Sequence, residues 1–185
     1  GIAKCSTAPV LGEDFTYTGD CKVIDDGGGN WRIKFLTSGT FSSTKDMMVV
    51  VFVVGGGGGG GYIENTPSKG GMTGGGGGFT NTTQKIALLA GKNYTINVGA
   101  GGEANAQGGQ SIMRDYNGES IAAADGGRGG TYNTDSYTIS EETPTALIAK
   151  GGIGGSGGGS SGVDYNELDS QGRHLLAVAG NGGSD

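Results

Sequence analysis

The stretch VVVFVVGGGGGGG, residues 49–61, joins six apolar residues directly to seven consecutive glycines. A second run, GGGGG at residues 74–78, follows after a polar segment. Two interpretations are open for such a pattern. The glycines are a flexible linker, as in many glycine-rich sequences, or they are part of the folded core. Linkers usually interleave serine or threonine, whereas these runs are nearly pure glycine behind an apolar strand, which favours the core.

The same unit of a short apolar strand followed by paired glycines recurs along the chain, as in a repeat protein. It is found in YTINVGAGG (94–102), SIAAADGGRGG (120–130), ALIAKGGIGGSGGG (146–159) and LLAVAGNGG (175–183). Polyproline II helices have three residues per turn and no internal hydrogen bonds. Glycine lacks a Cβ, so glycine helices of this kind can approach and hydrogen bond to neighbours on all sides. We therefore predict a bundle of polyglycine II helices, and its lattice-forming residues are Gly55, Gly58, Gly61, Gly76, Gly127, Gly155 and Gly158.

The remaining sequence predicts strands and turns. FTYTGDCKVID (15–25) and WRIKFLTSGTF (31–41) alternate as half-buried strands do, and DGGGN (26–30) predicts a turn. MMVVVFVV (47–54) is apolar throughout, which predicts a strand covered on both faces. We expect a mainly β protein with essentially no α-helix. Its predicted parts are a β-rich N-terminal portion, residues 1–54, and a polyglycine-rich domain with variable polar loops, residues 55–185.

Composition and charge exclude several classes of function. The chain has 185 residues, 44 of them glycine, and a net charge of −6. Nucleic acid binding depends on basic residues that contact phosphates, so the acidic balance argues against it. No run reaches the roughly 18 apolar residues of a membrane-spanning helix, and we expect no membrane insertion. Because the chain begins with Gly1 rather than Met, we expect it to be part of a longer or processed protein.

The two cysteines, Cys5 and Cys21, are a candidate disulfide. Such a bond would close a short loop and contribute about 3 kcal/mol. Two free thiols are the alternative, and the sequence leaves both open.

The order of WRIKFLTSGTF, MMVVVFVVGGGGGGG and YTINVGAGG resembles the glycine-rich domain of tail-fibre and minor structural proteins of phages and prophages of gut Firmicutes. The resemblance covers roughly residues 31–185. The architecture it implies is similar to the polyglycine II sandwich of the tip adhesins of T-even-like phage tail fibres, whose variable loops bind host receptors. One departure is the end of the chain: the family usually closes with a V-I-I-R strand, and this sequence ends GNGGSD.

The resemblance implies an extracellular virion protein of the phage tail that does not act as an enzyme. Its expected partners are a bacterial cell-surface glycan or protein and other virion tail proteins, and a homotrimer is one candidate assembly. A purely structural spacer or assembly protein of the tail tip, without receptor binding, is the main alternative. A depolymerase of surface glycans would need paired carboxylates, for which the sequence has few candidates.

Candidate binding residues are the planar or cationic side chains between the glycine runs, because such side chains supply contact area and adaptable hydrogen bonds. They are Tyr62, Asn65, Lys69, Tyr116, Tyr132, Tyr137 and Tyr165. Polar turn residues without a binding role are the alternative. GGSGG (154–158) matches a nucleophile elbow only because glycine is abundant, and His174, the only histidine, has no metal-ligand spacing. We expect no catalytic residue, no metal and no cofactor.

Overall fold

The computed structural model describes residues 7–61, 73–133, 146–155 and 174–178, and only the backbone of 131–133, 146–150 and 174–178. In these residues it has strands, turns and no helix, so the predicted class, mainly β with essentially no α-helix, is confirmed. None of the described residues belongs to a helix long and apolar enough to cross a membrane. The strands are β1 (Phe15–Tyr17), β2 (Cys21–Gly27), β3 (Asn30–Phe35), β4 (Gly39–Ser43), β5 (Met47–Val54), β6 (Thr80–Leu88), β7 (Tyr94–Asn97), β8 (Ser111–Arg114), β9 (Ser120–Ala124), β10 (Thr131–Asn133), β11 (Ala146–Lys150) and β12 (His174–Val178).

The chain divides into two compact units built from interleaved segments. One, here called the strand unit, comprises Gly1–Val53, Asn81–Val98 and Ser111–Ala123. The other, here called the glycine unit, comprises Val54–Thr80, Gly99–Gln110 and Ala124–Asp185. The sequential division predicted above, 1–54 and 55–185, stays a prediction.

The strand unit is organised by a five-stranded sheet in the order β1-β4-β7-β8-β9. Its pairs β1–β4, β4–β7 and β7–β8 are antiparallel, and Phe41 lies opposite Tyr94 in the β4–β7 pair. Buried side chains of this sheet and of β6 form the core, and apolar side chains of the β2–β3 and β5–β6 pairs pack against it. The core residues are Phe15, Phe41, Leu88, Tyr94, Ile96 and Met113.

Strand β5 departs from its prediction, because only one of its faces is covered. Met47, Val49 and Val51 pack against the core, but the alternate residues point away from it. Val50 is 59% exposed and Phe52 63% exposed. An uninterrupted apolar run predicts burial on both sides, but successive strand residues face opposite ways, and within the described residues β5 belongs to a two-stranded sheet with β6 alone.

The predicted strand at residues 31–41 is wrong in its extent. It forms two strands, β3 and β4, separated by residues 36–38, which bend the chain so that β3 pairs with β2 and β4 joins the large sheet. The predicted turn at 26–30 is confirmed: Gly28 and Gly29 connect β2 to β3 with positive φ angles of 62° and 77°. Glycine adopts this left-handed conformation without steric cost.

The recurring strand-plus-glycine unit is confirmed at the level of strands. β5, β7, β9, β11 and β12 each occupy the apolar part of one predicted repeat. In the glycine unit, β10, β11 and β12 form a three-stranded sheet in which β10–β11 is antiparallel and β11–β12 parallel. The described parts of the glycine runs belong to no helix or strand, and their conformation as polyglycine II helices stays a prediction.

Candidate functional site

Five glycine-rich segments of the glycine unit lie side by side and hydrogen bond through their backbones. We number them along the chain: first 55–61, second 73–79, third 99–110, fourth 125–130 and fifth 151–155. In the first segment, the amides of Gly55, Gly58 and Gly61 donate hydrogen bonds to carbonyls of the second segment, at N–O distances of 2.7–2.9 Å. Those of Gly56 and Gly59 donate to the third segment, both at 2.9 Å. Hydrogen bonds to the same neighbouring segment therefore recur at every third residue.

The other neighbours of the first segment follow the same spacing. The carbonyls of Gly57 and Gly60 accept hydrogen bonds from the third segment, and those of Gly56 and Gly59 accept them from the fourth. The fifth segment joins the second through the amides of Gly152 and Gly155, again three residues apart. A spacing of three residues is that of polyproline II geometry.

The bundle leaves no room for side chains at most of its glycines. A Cβ on Gly58 would overlap the carbonyl of Arg128, and one on Gly59 would overlap that of Glu103. By contrast, a Cβ on Gly57 would meet no atom closer than 3.8 Å. The glycines with positive φ lie elsewhere, at Gly12, Gly27–Gly29, Gly91 and Gly118. The segments therefore need glycine for close backbone approach and not for a left-handed conformation.

The predicted lattice residues can be placed in this geometry. A Cβ would come closer than 3.0 Å to a neighbouring segment at Gly55, Gly58, Gly61, Gly76, Gly127 and Gly155. Gly158 lies outside the described residues. Their assignment as lattice-forming stays a prediction, which the substitutions in the Discussion test.

Of the predicted binding residues, only Tyr116 has a described side chain. Tyr62, Asn65, Lys69, Tyr137 and Tyr165 lie outside the described residues, and only the backbone of Tyr132 is described. The described residues therefore do not test whether these seven side chains lie together, and their role in binding stays a prediction.

Tyr116 lies at one end of the five-stranded sheet, in the turn between β8 and β9. The register places the start of β7 next to the ends of β4 and β8, since Tyr94 pairs with Phe41 and Thr95 with Arg114. The turns at residues 43–46, 89–93 and 115–119 consequently lie at this same end, here called the turn end.

The Tyr116 ring is half exposed and held from two sides. Its exposed fraction is 45%, its edge contacts the buried Tyr94 at 6.2 Å between ring centroids, and the Lys92 ammonium lies 4.9 Å from its centroid. The Asp115 carboxylate accepts hydrogen bonds from the amides of Asn117 and Glu119, at 2.8 and 2.9 Å. These two hydrogen bonds fix the conformation of the turn that carries Tyr116.

Electrostatics at the turn end are dominated by short-range pairs. The amide of Val10, at 3.0 Å, and the ammonium of Lys45, at 3.2 Å, hold the pKa of Asp14 below its usual value.

On β2, burial and the neighbouring Asp20 raise the pKa of the Cys21 thiol. Cys21 is a free thiol in the structure, while Cys5 lies outside the described residues, so the disulfide stays a prediction.

A groove in the glycine unit was not anticipated from the sequence. Its volume is about 290 Å³, and its lining combines one guanidinium, two amide side chains and a glycine floor. The lining residues are Asn105, Gln107, Arg128, Gly129, Gly151, Gly152 and Ile153. The one indication of this groove in the sequence is Arg128, a single arginine inside GGRGG. The other residues that line the groove come mostly from segments distant in sequence.

Among the residues that the structure describes, Arg128 takes part in the bundle through its main chain. Its amide donates to the carbonyl of Ile153 at 2.7 Å, and its carbonyl accepts from the amide of Gly76 at 2.9 Å. The side chain is exposed. Gln107 is fixed by a hydrogen bond from Nε2 to the carbonyl of Gly126 at 3.0 Å. Within the described ranges, no group of three or more His, Cys, Asp or Glu residues could hold a metal ion.

Comparison with known proteins places the chain in a family. The family model described as glycine-rich domain matches residues 36–185, which is most of the chain and includes all five glycine segments. Comparisons with curated proteins and with solved structures found no match. The chain therefore belongs to the glycine-rich domain family.

Proposed function

We propose that this chain is a non-enzymatic, phage tail-fibre-like virion protein, in which a glycine scaffold displays loops that bind a receptor on the bacterial surface. The observation that carries the proposal is the lateral hydrogen bonding of the glycine segments, which repeats at every third residue. A bundle of this kind fixes the backbone on several sides. Binding residues commonly lie on loops that a rigid scaffold positions.

The polyglycine II interpretation is part of the same proposal. It is supported by the threefold repeat of hydrogen bonds, by the close approach of glycine backbones and by the negative or extended φ angles of the glycines in the described segments. Each ordered glycine costs on the order of 1–2 kcal/mol of conformational entropy, so such segments are stable only together. A bundle that forms cooperatively is a firm base for exposed recognition segments.

The segments expected to contact the receptor are the polar ones between the glycine runs. Residues 62–73 and 131–150 together contain five of the seven candidate side chains named above: Tyr62, Asn65, Lys69, Tyr132 and Tyr137. Tyrosine and asparagine suit this role because they combine contact area with adaptable hydrogen bonds. The half-exposed Tyr116 at the turn end is a further candidate.

The test measures binding of the fluorescently labelled chain to a panel of gut Firmicutes isolates. Replacing residues 62–73 or 131–150 by serine-rich segments of equal length is expected to reduce or redirect cell binding. A matched control replaces Gly28, in the exposed turn of the strand unit, by asparagine, which tolerates its positive φ angle. Unchanged cell binding of both segment variants would refute the receptor-binding proposal.

One observation favours a second candidate, a structural or assembly role without receptor binding. Met48, Val50, Phe52 and Val54 form a stripe of exposed apolar side chains along β5, 48–63% exposed. Exposed apolar patches commonly mark protein contacts. Light scattering after size-exclusion chromatography tests this role: a homotrimer or other oligomer that dissociates on Val50→Thr with Phe52→Thr supports it, and a monomer before and after substitution contradicts self-assembly.

A further inference from the structure

We propose that the groove around Arg128 binds an acidic sugar, whose carboxylate or phosphate pairs with the guanidinium while its hydroxyls bond to the amide side chain of Gln107. The inference names a class of receptor for the scaffold and rests on the proposed function for its biological meaning. The chemistry of the groove itself supports it independently.

The guanidinium is the group that selects an anion. The bundle uses only the main chain of Arg128, so its side chain contributes nothing to the backbone bonding of the segments. The ion pairs of the described residues join Arg32 to Asp26 and Lys45 to Asp14, and neither involves Arg128. A guanidinium is planar and offers two parallel N–H donors, a geometry that matches carboxylate and phosphate oxygens.

The amides and the floor favour a sugar over a simple ion. Gln107 uses one amide proton in its bond to Gly126, and a primary amide has a second proton and an oxygen acceptor besides. Gly129, Gly151 and Gly152 contribute only backbone atoms to the lining. The volume of about 290 Å³ is at the small end of ligand sites, which suits one or two sugar units.

Charge argues against larger polyanions. The net charge of the chain is −6, and the described side chains of the groove include a single cation. Polyanion binding depends on many cationic contacts to phosphates. A short acidic group held by one bidentate pair fits this environment, and its affinity is expected to fall as salt rises.

The experiment follows amide chemical shifts of the ¹⁵N-labelled full chain during titration. The probes are methyl β-D-glucuronide, sn-glycerol 3-phosphate and methyl β-D-glucoside, which supply a carboxylate, a phosphate and a neutral control. Arg128→Gln removes the cation and keeps the main-chain bonds. Arg32→Gln is the matched control, because it makes the same charge change at an exposed residue of the strand unit.

We expect one of the two acidic probes to shift the amides of residues 105–107, 128–129 and 151–153, with a dissociation constant on the order of 1 mM. Glucuronide binding identifies a uronate-type ligand, and glycerol phosphate binding identifies a phosphate-bearing polymer. Arg128→Gln should weaken binding at least about tenfold, the loss expected for a charge-assisted bidentate pair, while Arg32→Gln leaves it unchanged.

Three results would overturn the site: equal shifts with the neutral glucoside, unchanged affinity in Arg128→Gln, or shifts confined to other regions. These outcomes are separable from the proposed function. If the labelled chain binds cells and Arg128→Gln binds them equally, the groove is refuted as the receptor site and the adhesin proposal stands. If the acidic probe binds the groove but no isolate is bound, the adhesin proposal fails and the sugar site stands.

Discussion

Two neighbouring glycines of the first segment provide a sharp test of the bundle. Gly57→Ala and Gly58→Ala make the same chemical change one residue apart. A Cβ at residue 58 overlaps the carbonyl of Arg128, whereas the nearest atom to a Cβ at residue 57 is 3.8 Å away. A flexible linker predicts no difference between the two variants, and a bundle predicts a large one.

The size of the difference follows from the contacts. Forcing a Cβ into a filled space costs about 1–3 kcal/mol. Moving the fourth segment away also strains its two hydrogen bonds to the first segment, from the amide of Gly127 to Gly56 and from the amide of Gly130 to Gly59, both at 2.9 Å, each worth about 0.5–1.5 kcal/mol. Gly58→Ala should therefore lose roughly 2–6 kcal/mol, a large part of the ~5–15 kcal/mol that stabilises a typical domain.

Gly57→Ala should instead be neutral or stabilising. At a site without steric conflict, alanine restricts the unfolded chain and adds about 0.4–1 kcal/mol. The two variants should thus differ by roughly 2–7 kcal/mol.

The assay combines urea unfolding with amide hydrogen exchange. Far-UV circular dichroism gives the free energy of unfolding. Trp31 lies in the strand unit, so its fluorescence does not report on the glycine unit. Hydrogen exchange at the amides of residues 55–61 does report on the glycine unit. A second pair provides an independent check: a Cβ on Gly102 overlaps the carbonyl of Ala106, and one on Gly101 finds its nearest atom at 3.8 Å. Equal unfolding free energies within both pairs would refute the bundle.

Three further predictions concern single side chains. Tyr94→Phe should lose about 1–3 kcal/mol in urea unfolding, because the Tyr94 hydroxyl accepts a 2.8 Å hydrogen bond from the amide of Leu89 in a partly buried site; wild-type stability would contradict this. Thr73→Val should keep or raise the melting temperature, since the buried Thr73 Oγ1 has no partner among the described atoms and burying an unpaired hydroxyl is costly; a drop of several degrees would show that the hydroxyl is bonded. The raised pKa of Cys21 means that the folded protein retains a proton that the unfolded chain loses, so unfolding free energy should fall as pH rises above the ordinary thiol pKa of about 8.5. Cys21→Ser should flatten this dependence, and an identical slope in wild type and variant would exclude Cys21 as its source.

Much of the fold could be predicted because the deciding patterns are local. The apolar runs before the glycines predict strands, and β7, β9 and β11 are found there. The turn between β2 and β3 follows from three glycines in a row. These features depend on residues adjacent in sequence, which a single chain displays directly.

What escaped prediction depends on contacts between distant segments. The exposed face of β5 could not be foreseen, because Val50 and Val51 are chemically identical and only the neighbouring strands determine which one packs on the core. The groove escaped for the same reason: Gln107 and Arg128 meet only because the third and fourth segments pack side by side, with the amide of Gly108 bonded to the carbonyl of Gly127 at 2.9 Å.

The threefold repeat also explains where the bundle tolerates side chains. Ala100 and Glu103 are three residues apart and exposed, and so are Asp125 and Arg128. Gly127 and Gly129, on either side of Arg128, both lie where a Cβ would overlap another backbone. In the first and fourth segments one residue in three points out of the bundle, so side chains can be displayed there only at that spacing. Arg128 occupies such a position. Gly57 is exposed and lies three residues from the exposed Gly60, so it is the equivalent position without a side chain. Gly57→Arg should therefore fold as stably as the wild type, whereas Gly56→Arg and Gly58→Arg should not fold; equal loss of stability in all three variants would show that the repeat does not govern side-chain display.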